Sequence, residues 1–163
     1  MNKLNLAEFR MPAYNELPQF GLYLEQTVKY INGYITPLGF TELTTSMVSN
    51  YVKLGIVAPP VKKQYDAEQL AYLFFVAIAK NVLSMDTIKM LIQMQQSTYP
   101  TRIAYDYFCQ ELKNMLLFTF GLKDTVDEIS TSHSAEKTML RSVIIAVAQL
   151  VYFYSRLEDY QQQ

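Results

Sequence analysis

The chain has 163 residues, of which 50% are apolar and 18% charged, and its formal net charge is −1 at pH 7. This balance excludes a disordered chain and a protein that coats nucleic acid through bulk positive charge, although it permits a local basic patch. The lone cysteine, Cys109, excludes an internal disulfide and favours a cytoplasmic location. The longest apolar block, 143–154, is shorter than the roughly 20 residues of a membrane span, so we expect no membrane association.

An arm and a helix open the chain. Residues 1–21 contain two prolines and a glycine among scattered apolar residues, and we expect them to form an extended arm on the body. Apolar residues at helical spacing then predict a helix over 22–35, which Pro37 and Gly39 end.

Capping signals bound the next elements. Thr44 or Thr45 is a suitable N-cap for a helix to about Leu54, and Gly55 occupies the C-terminal capping position. The prolines that follow cannot continue a helix, so residues 61–65 are expected to form a short strand or a small wing.

The remainder of the chain is predicted to be helical. Asp66, with a glutamine three residues later, starts a helix to about Val82. Ser84 caps another helix, which ends before Pro100, and two long helical patterns occupy about 101–120 and 134–160. The predicted class is therefore all-α. Its expected parts are an arm at 1–21, a helical module at 22–97 and a C-terminal helical pair at 98–163.

The helix after Thr44 has a polar face without a carboxylate. An apolar stripe that includes Val48 and Tyr51 would face the core, and four residues would share the opposite side: Ser46, Ser49, Asn50 and Lys53. An amide can pair with an adenine edge, hydroxyls bind bases or phosphates, and lysine binds phosphate or guanine. The same face is also what the solvent side of an ordinary amphipathic helix looks like.

Residues 42–92 resemble the MerR-type winged helix-turn-helix. The matching positions are Thr44, Tyr51, Gly55-Ile56-Val57, Pro59-Pro60, Lys62-Lys63, Tyr65-Asp66 and Glu68-Gln69-Leu70. Residues 82–88 also resemble the turn that opens that family's next helix. The resemblance implies a MerR-like winged helix-turn-helix module, here followed by two long C-terminal helices. The sequence departs from that family at Ser46 and Ser49, where arginine is usual, and in a wing that is short and lacks its arginine.

Over about 20–150 the chain also resembles the YkrK-like proteins, a bacterial family without an assigned activity. The residues that carry this resemblance are those at 24–26, 43–53 and 60–65. It implies the fold and favours DNA binding.

These patterns predict a DNA-binding transcription regulator. We expect base contacts from Ser46, Ser49 and Asn50. Phosphate contacts are expected from Thr45, Lys53, Lys62 and Lys63.

The missing arginines and the net charge favour one alternative, a protein-interaction adaptor that keeps the winged-helix shape. Another alternative is a ligand-sensing helical domain, in which the aromatic C-terminal half holds an apolar small-molecule effector.

Other chemistry-bearing residues give no catalytic or metal pattern. His133 has no acidic or cysteine neighbour at ligand spacing, and Cys109 lies in a helical pattern as a small apolar residue. No phosphate-binding glycine loop is present, so we expect neither an enzyme nor a cofactor.

Residues 143–154 are apolar nearly all round, which predicts a helix that is either central to the monomer or shared in a homodimer.

Overall fold

The structure is a computed structural model that describes residues 4–127 and 134–163. In these ranges it consists of α-helices with short 3₁₀ turns and one small antiparallel ladder. The predicted all-α class is confirmed.

The N-terminal arm lies on the helical body through buried apolar side chains. A 3₁₀ turn spans Tyr14–Glu16, and Leu17 directly after it is only 1% exposed. The Tyr105 hydroxyl donates a hydrogen bond of 2.8 Å to the Pro12 carbonyl, which ties the arm to the C-terminal half. The arm therefore shares one hydrophobic core with the helices.

The first helix begins two residues later than its apolar spacing indicates. Leu22–Tyr23 form a strand, β1, that pairs antiparallel with β2, Gln64–Tyr65, and α1 follows at Leu24–Ile35. The two residues are extended because their backbone groups pair with β2. A Cβ on Gly21 would lie 2.6 Å from the Gln64 Cβ, so the close approach requires glycine.

The next two helices begin where capping chemistry indicates. Thr44 caps α2, Thr45–Lys53, and Asp66 caps α3, Ala67–Ala79. In both helices the capping side chain accepts a hydrogen bond from the backbone N–H three residues on, at 3.2 Å in α2 and 2.9 Å in α3.

The central helix of the fold is α3. Its buried residues point to all sides, and Phe74 packs edge-on against Tyr30 and Tyr34 of α1. The helix ends at Ala79 and not near Val82 as predicted. It stops there because the Asn81 side-chain amide donates to two carbonyls of the last turn, at 2.9 and 3.0 Å.

Three further helices complete the described chain, as predicted. They are α4, Met85–Thr98, α5, Thr101–Thr119, and α6, Ala135–Gln161. The last two pack along each other, and the Arg141 Nε lies 3.2 Å from the buried Glu111 carboxylate between them. Five residues of 143–154 belong to the buried core together with α3: Val143, Ile144, Val147, Ala148 and Val151.

Only one face of α6 is covered. Val147 and Ala148 are fully buried, while Phe153 is 56% and Leu157 39% exposed. In the described ranges α6 is also the one helix long and apolar enough, by length and composition alone, to cross a membrane, with 28% of its most apolar stretch buried. The length of the apolar block 143–154 did not reveal this property, because polar residues interrupt the apolar run along the helix.

Candidate nucleic-acid interface

Two buried side chains set the rotation of α2. Val48 is fully buried and Tyr51 is 4% exposed, so the opposite face of the helix is turned to solvent. The exposed residues on that face are Ser46, Ser49, Asn50 and Lys53. Thr45, at the first helical position, is half-buried. The predicted rotation of this helix is confirmed.

The C-terminal end of α2 closes on Gly55. This glycine has a φ of +72°, and the N–H groups of Gly55 and Ile56 donate to α2 carbonyls at 3.0 Å each, as in a Schellman motif. The Lys89 ammonium of α4 donates to the Leu54 carbonyl at 2.9 Å. The end of α2 from which the chain leads to the wing is therefore held from two sides.

One asparagine holds the connection between α1 and α2. The Asn32 Oδ1 accepts from the Leu43 N–H at 2.8 Å, and its Nδ2 donates to the Leu43 carbonyl at 2.9 Å. These bonds fix the residue before the Thr44 cap and so decide where α2 begins. Sequence reasoning missed Asn32, because its partner lies 11 residues away and nothing local signals the pair.

The segment predicted as a wing, residues 61–64, is a tight turn that presents two exposed lysines. Val61 and Gln64 exchange two backbone hydrogen bonds of 3.0 Å, and between them Lys62 has a φ of +50° and Lys63 a φ of +65°. Positive φ at both central residues defines a type I′ turn, for which asparagine and glycine are preferred. Each lysine therefore holds a backbone conformation that costs about 1–3 kcal/mol for a residue with a Cβ.

A buried glutamine anchors the stem of the wing. Gln69, 6% exposed, donates to the carbonyls of Ala58 and Pro59 at 3.0 and 2.9 Å, while its Oε1 accepts from the Asp66 N–H at 2.7 Å. The sequence predicted its capping-box role but not its hold on the proline segment. Together with the β1–β2 ladder, Gln69 makes the base of the wing rigid.

A further lysine lies beside α2. The Lys80 Nζ is 3.4 Å from the Met47 sulfur, and burial lowers the pKa of this ammonium. A thioether is a weak acceptor, so Lys80 retains donor capacity for an anion at this side of α2. Sequence reasoning missed Lys80, since 33 residues separate it from Met47.

The surface around α2 and the wing is mixed in character. Neither α2 nor residues 61–64 contain a carboxylate or an arginine, but Glu42 is exposed just before the cap of α2. Val61 is 71% and Leu54 41% exposed, so apolar surface accompanies the lysines.

Two other residues were considered for chemistry, Cys109 and His133. Cys109 is buried as predicted, and burial raises the pKa of its thiol to about 12, which keeps it protonated at neutral pH. His133 lies outside the described residues. Within residues 4–127 and 134–163 no three histidine, cysteine or acidic side chains lie close enough together to hold a metal ion.

Comparison with known proteins gives a family match. The family model described as "Domain of unknown function (DUF1836)" matches residues 12–108, a range that contains α1 to α4, the wing and the start of α5. No curated protein and no solved structure matches the chain. All of the candidate DNA-contacting residues fall inside the matched range.

Proposed function

The chain belongs to the DUF1836 family, and we propose that this member binds double-stranded DNA as a bacterial cytoplasmic transcription regulator. In this proposal α1, α2 and the 61–64 turn act as a MerR-like winged helix-turn-helix. The protein is not an enzyme, and it uses no cofactor.

The observation that carries the proposal is the pair of lysines in the type I′ turn. Lys62 and Lys63 occupy left-handed conformations in a turn that asparagine and glycine would form at lower cost. Backbone strain of this kind clusters at functional sites. Two exposed ammonium groups at the tip of a rigid hairpin suit contact with phosphates, which supply much of the affinity of DNA-binding proteins.

The exposed face of α2 supplies the second half of the argument. In this proposal the side-chain hydrogen-bonding groups of Ser46, Ser49 and Asn50 contact base edges. Asn50 can make a two-bond contact with adenine. Thr45 and Lys53 flank them and would contact phosphates. Lys80, beside Met47, adds a cation that the sequence patterns did not include.

A second candidate function is that of a protein-interaction adaptor. The observation that favours it is the exposure of Val61 and Leu54, 71% and 41%, next to a surface without arginine. Exposed apolar side chains beside polar ones are typical of a protein interface. Such an adaptor would bind its partner through the same face and would bind no duplex.

The test is a fluorescence-anisotropy titration with random-sequence duplexes and with duplexes selected by the protein from a random pool. Affinity is measured between about 25 and 200 mM salt, where counterion release makes it fall linearly on a double-logarithmic plot. We expect Lys62→Ala/Lys63→Ala to weaken binding to all duplexes alike and to flatten the slope by up to about two units.

The matched control is Arg10→Ala/Lys123→Ala, which removes the same charge from the arm and from the segment after α5. Its slope is expected to equal that of the wild type. A Lys62→Ala/Lys63→Ala variant with an unchanged slope would remove the wing from the interface. A wild type that binds no duplex at the lowest salt would overturn DNA binding in favour of the adaptor.

A further inference from the structure

A cavity lies between four helices, away from α2 and the wing. Its volume is about 110 Å³, and its walls come from α3, α4, α5 and α6. Phe75 and Phe108 stand edge to face at 5.3 Å in its wall. Ile103 also lines it and remains 51% exposed, so the cavity opens to solvent near this residue.

The polar atoms around the cavity are already paired. The Tyr72 hydroxyl lies 2.8 Å from Gln95 Oε1 and 2.9 Å from Thr101 Oγ1, and the Tyr105 hydroxyl donates to the Pro12 carbonyl. In the described ranges no buried side-chain nitrogen or oxygen lacks a hydrogen-bond partner. A ligand in the cavity would therefore contact mainly aromatic ring faces and aliphatic carbon atoms.

The charged side chains at the cavity do not select an ion. Lys137 sits 5.6 Å from the ring centres of both Tyr99 and Tyr107, and Glu136 lines the same wall. A carboxylate or an ammonium ligand would meet one opposite and one like charge, so the pair gives neither ion a clear advantage, and either ion would lose its hydration among apolar walls. An uncharged ligand meets neither cost.

We propose that this cavity, which opens to solvent near Ile103, is a binding site for a small uncharged aromatic molecule with one benzene ring. A closed cavity of about 150 Å³ lined by apolar side chains is known to hold benzene, so the ring fills this smaller cavity of about 110 Å³ and any substituent lies in its opening. Edge-to-face contact with Phe75 and Phe108 favours an aromatic ligand over an aliphatic one of equal size. The site does not depend on DNA binding and would exist in an adaptor as well.

The experiment uses the full chain with toluene as probe and benzoate as its charged counterpart. Toluene is expected to bind saturably and to raise the midpoint of thermal unfolding by about 3–6 °C at ten times its Kd. Nuclear Overhauser contacts from its ring protons should reach the methyl groups of Leu91, Ile92 and Leu140, which line the cavity. Benzoate is expected to bind at least tenfold more weakly.

Ala104→Leu places three more carbon atoms at the cavity wall and should abolish toluene binding. The matched control, Ala7→Leu at an exposed position of the arm, should bind toluene as the wild type does. Absence of saturable toluene binding to the wild type, or binding without contacts to the three methyl-bearing residues, would overturn the proposal. Benzoate binding as tight as toluene would overturn the uncharged class of ligand.

Discussion

Asn50 owes its position to the rotation of α2. Val48 is fully buried and Tyr51 is 4% exposed, and with both of them in the core Asn50 lies on the opposite, solvent-facing side of the helix. The Asn50 side chain is exposed and, on the face it shares with Ser46, Ser49 and Lys53, is the sole amide. Specificity for one base is therefore expected to concentrate at this residue.

Asn50→Ala should lower affinity for the preferred duplex by about 1–3 kcal/mol and change affinity for random duplexes little. The unfolding free energy should change by less than about 0.5 kcal/mol, since the residue is exposed. Paired anisotropy and urea titrations measure the two quantities.

Gln110→Ala, an exposed amide on α5, serves as the control and should leave both duplex affinities unchanged. Equal losses on preferred and random duplexes in Asn50→Ala would assign Asn50 to the DNA backbone and not to a base.

Glu111 is a buried carboxyl group, and Arg141 only partly compensates the effect of burial on it. It is 2% exposed, and burial raises its pKa above the ordinary value, while Arg141 at 3.2 Å opposes the rise. The folded state therefore binds the proton more readily than the unfolded state does. Stability from this group is present below the unfolded pKa of about 4.5 and is lost as pH rises through the folded pKa.

The Glu111→Gln variant should not lose stability in this way as the pH rises. The unfolding free energy of the wild type relative to the variant should decline as pH rises from about 4.5 towards 8, as measured by urea titration at each pH. Glu16→Gln is the control, because Arg10 lowers the pKa of Glu16 to about 2, outside this range. Parallel pH profiles for the wild type and Glu111→Gln would show that the Glu111 pKa is not raised.

The wing combines a strained turn with a stem that is held by hydrogen bonds. Val61 and Gln64 close the turn, and β1 and Gln69 hold its stem. The lysines at its tip carry the conformational cost without any contribution to the core, since both are exposed. Relief of the strain and loss of the charge can therefore be separated by substitution.

Lys62→Asn/Lys63→Gly should stabilise the protein by about 1–2 kcal/mol, because both residues accept positive φ at lower cost. The same variant should bind duplexes as weakly as Lys62→Ala/Lys63→Ala. Urea midpoints and anisotropy titrations report the two effects.

The alanine pair is the control for stability, since it removes the charges but keeps a Cβ at each strained position. Equal stability of the two variants would mean that the turn conformation costs little. Full DNA affinity in the asparagine–glycine variant would remove the lysines from the interface.

At the scale of the whole molecule, α6 leaves an apolar stripe uncovered. Four residues at intervals of seven, Met139, Ala146, Phe153 and Tyr160, lie along one side of the helix and are exposed. Some of the apolar residues in 143–154 therefore lie on the buried face of α6, and others lie in or beside this exposed stripe. We expect a second copy of the chain to cover the stripe, because the helix-turn-helix function proposed above would read paired half-sites as a dimer.

Phe153→Glu should convert a dimer to a monomer at about 50 micromolar, because it places a charge in an apolar interface. Sedimentation velocity measures the change. Phe20→Glu is the control, since Phe20 is 87% exposed on the arm and should leave the dimer intact. A monomeric wild type at the same concentration would contradict the expected dimer.

Much of the fold is readable from the sequence, because it depends on interactions within a few residues. Thr44, Asp66 and Ser84 cap helices through N–H groups three residues away, and Gly55 ends α2 through bonds within its last turn. The same locality makes the rotation of α2 readable, since Val48 and Tyr51 recur at helical spacing.

The remaining features depend on contacts between residues distant in sequence. Asn32 holds Leu43, Lys80 meets Met47 and Lys89 caps Leu54, over separations of 11, 33 and 35 residues. No periodicity or capping rule relates such positions, because packing of whole helices brings them together. The shift of α1 to Leu24, the strain at Lys62 and Lys63 and the apolar cavity have the same origin. Local chemistry sets where helices begin and end and which face turns inward, while the surfaces available for binding are set by what the folded helices cover.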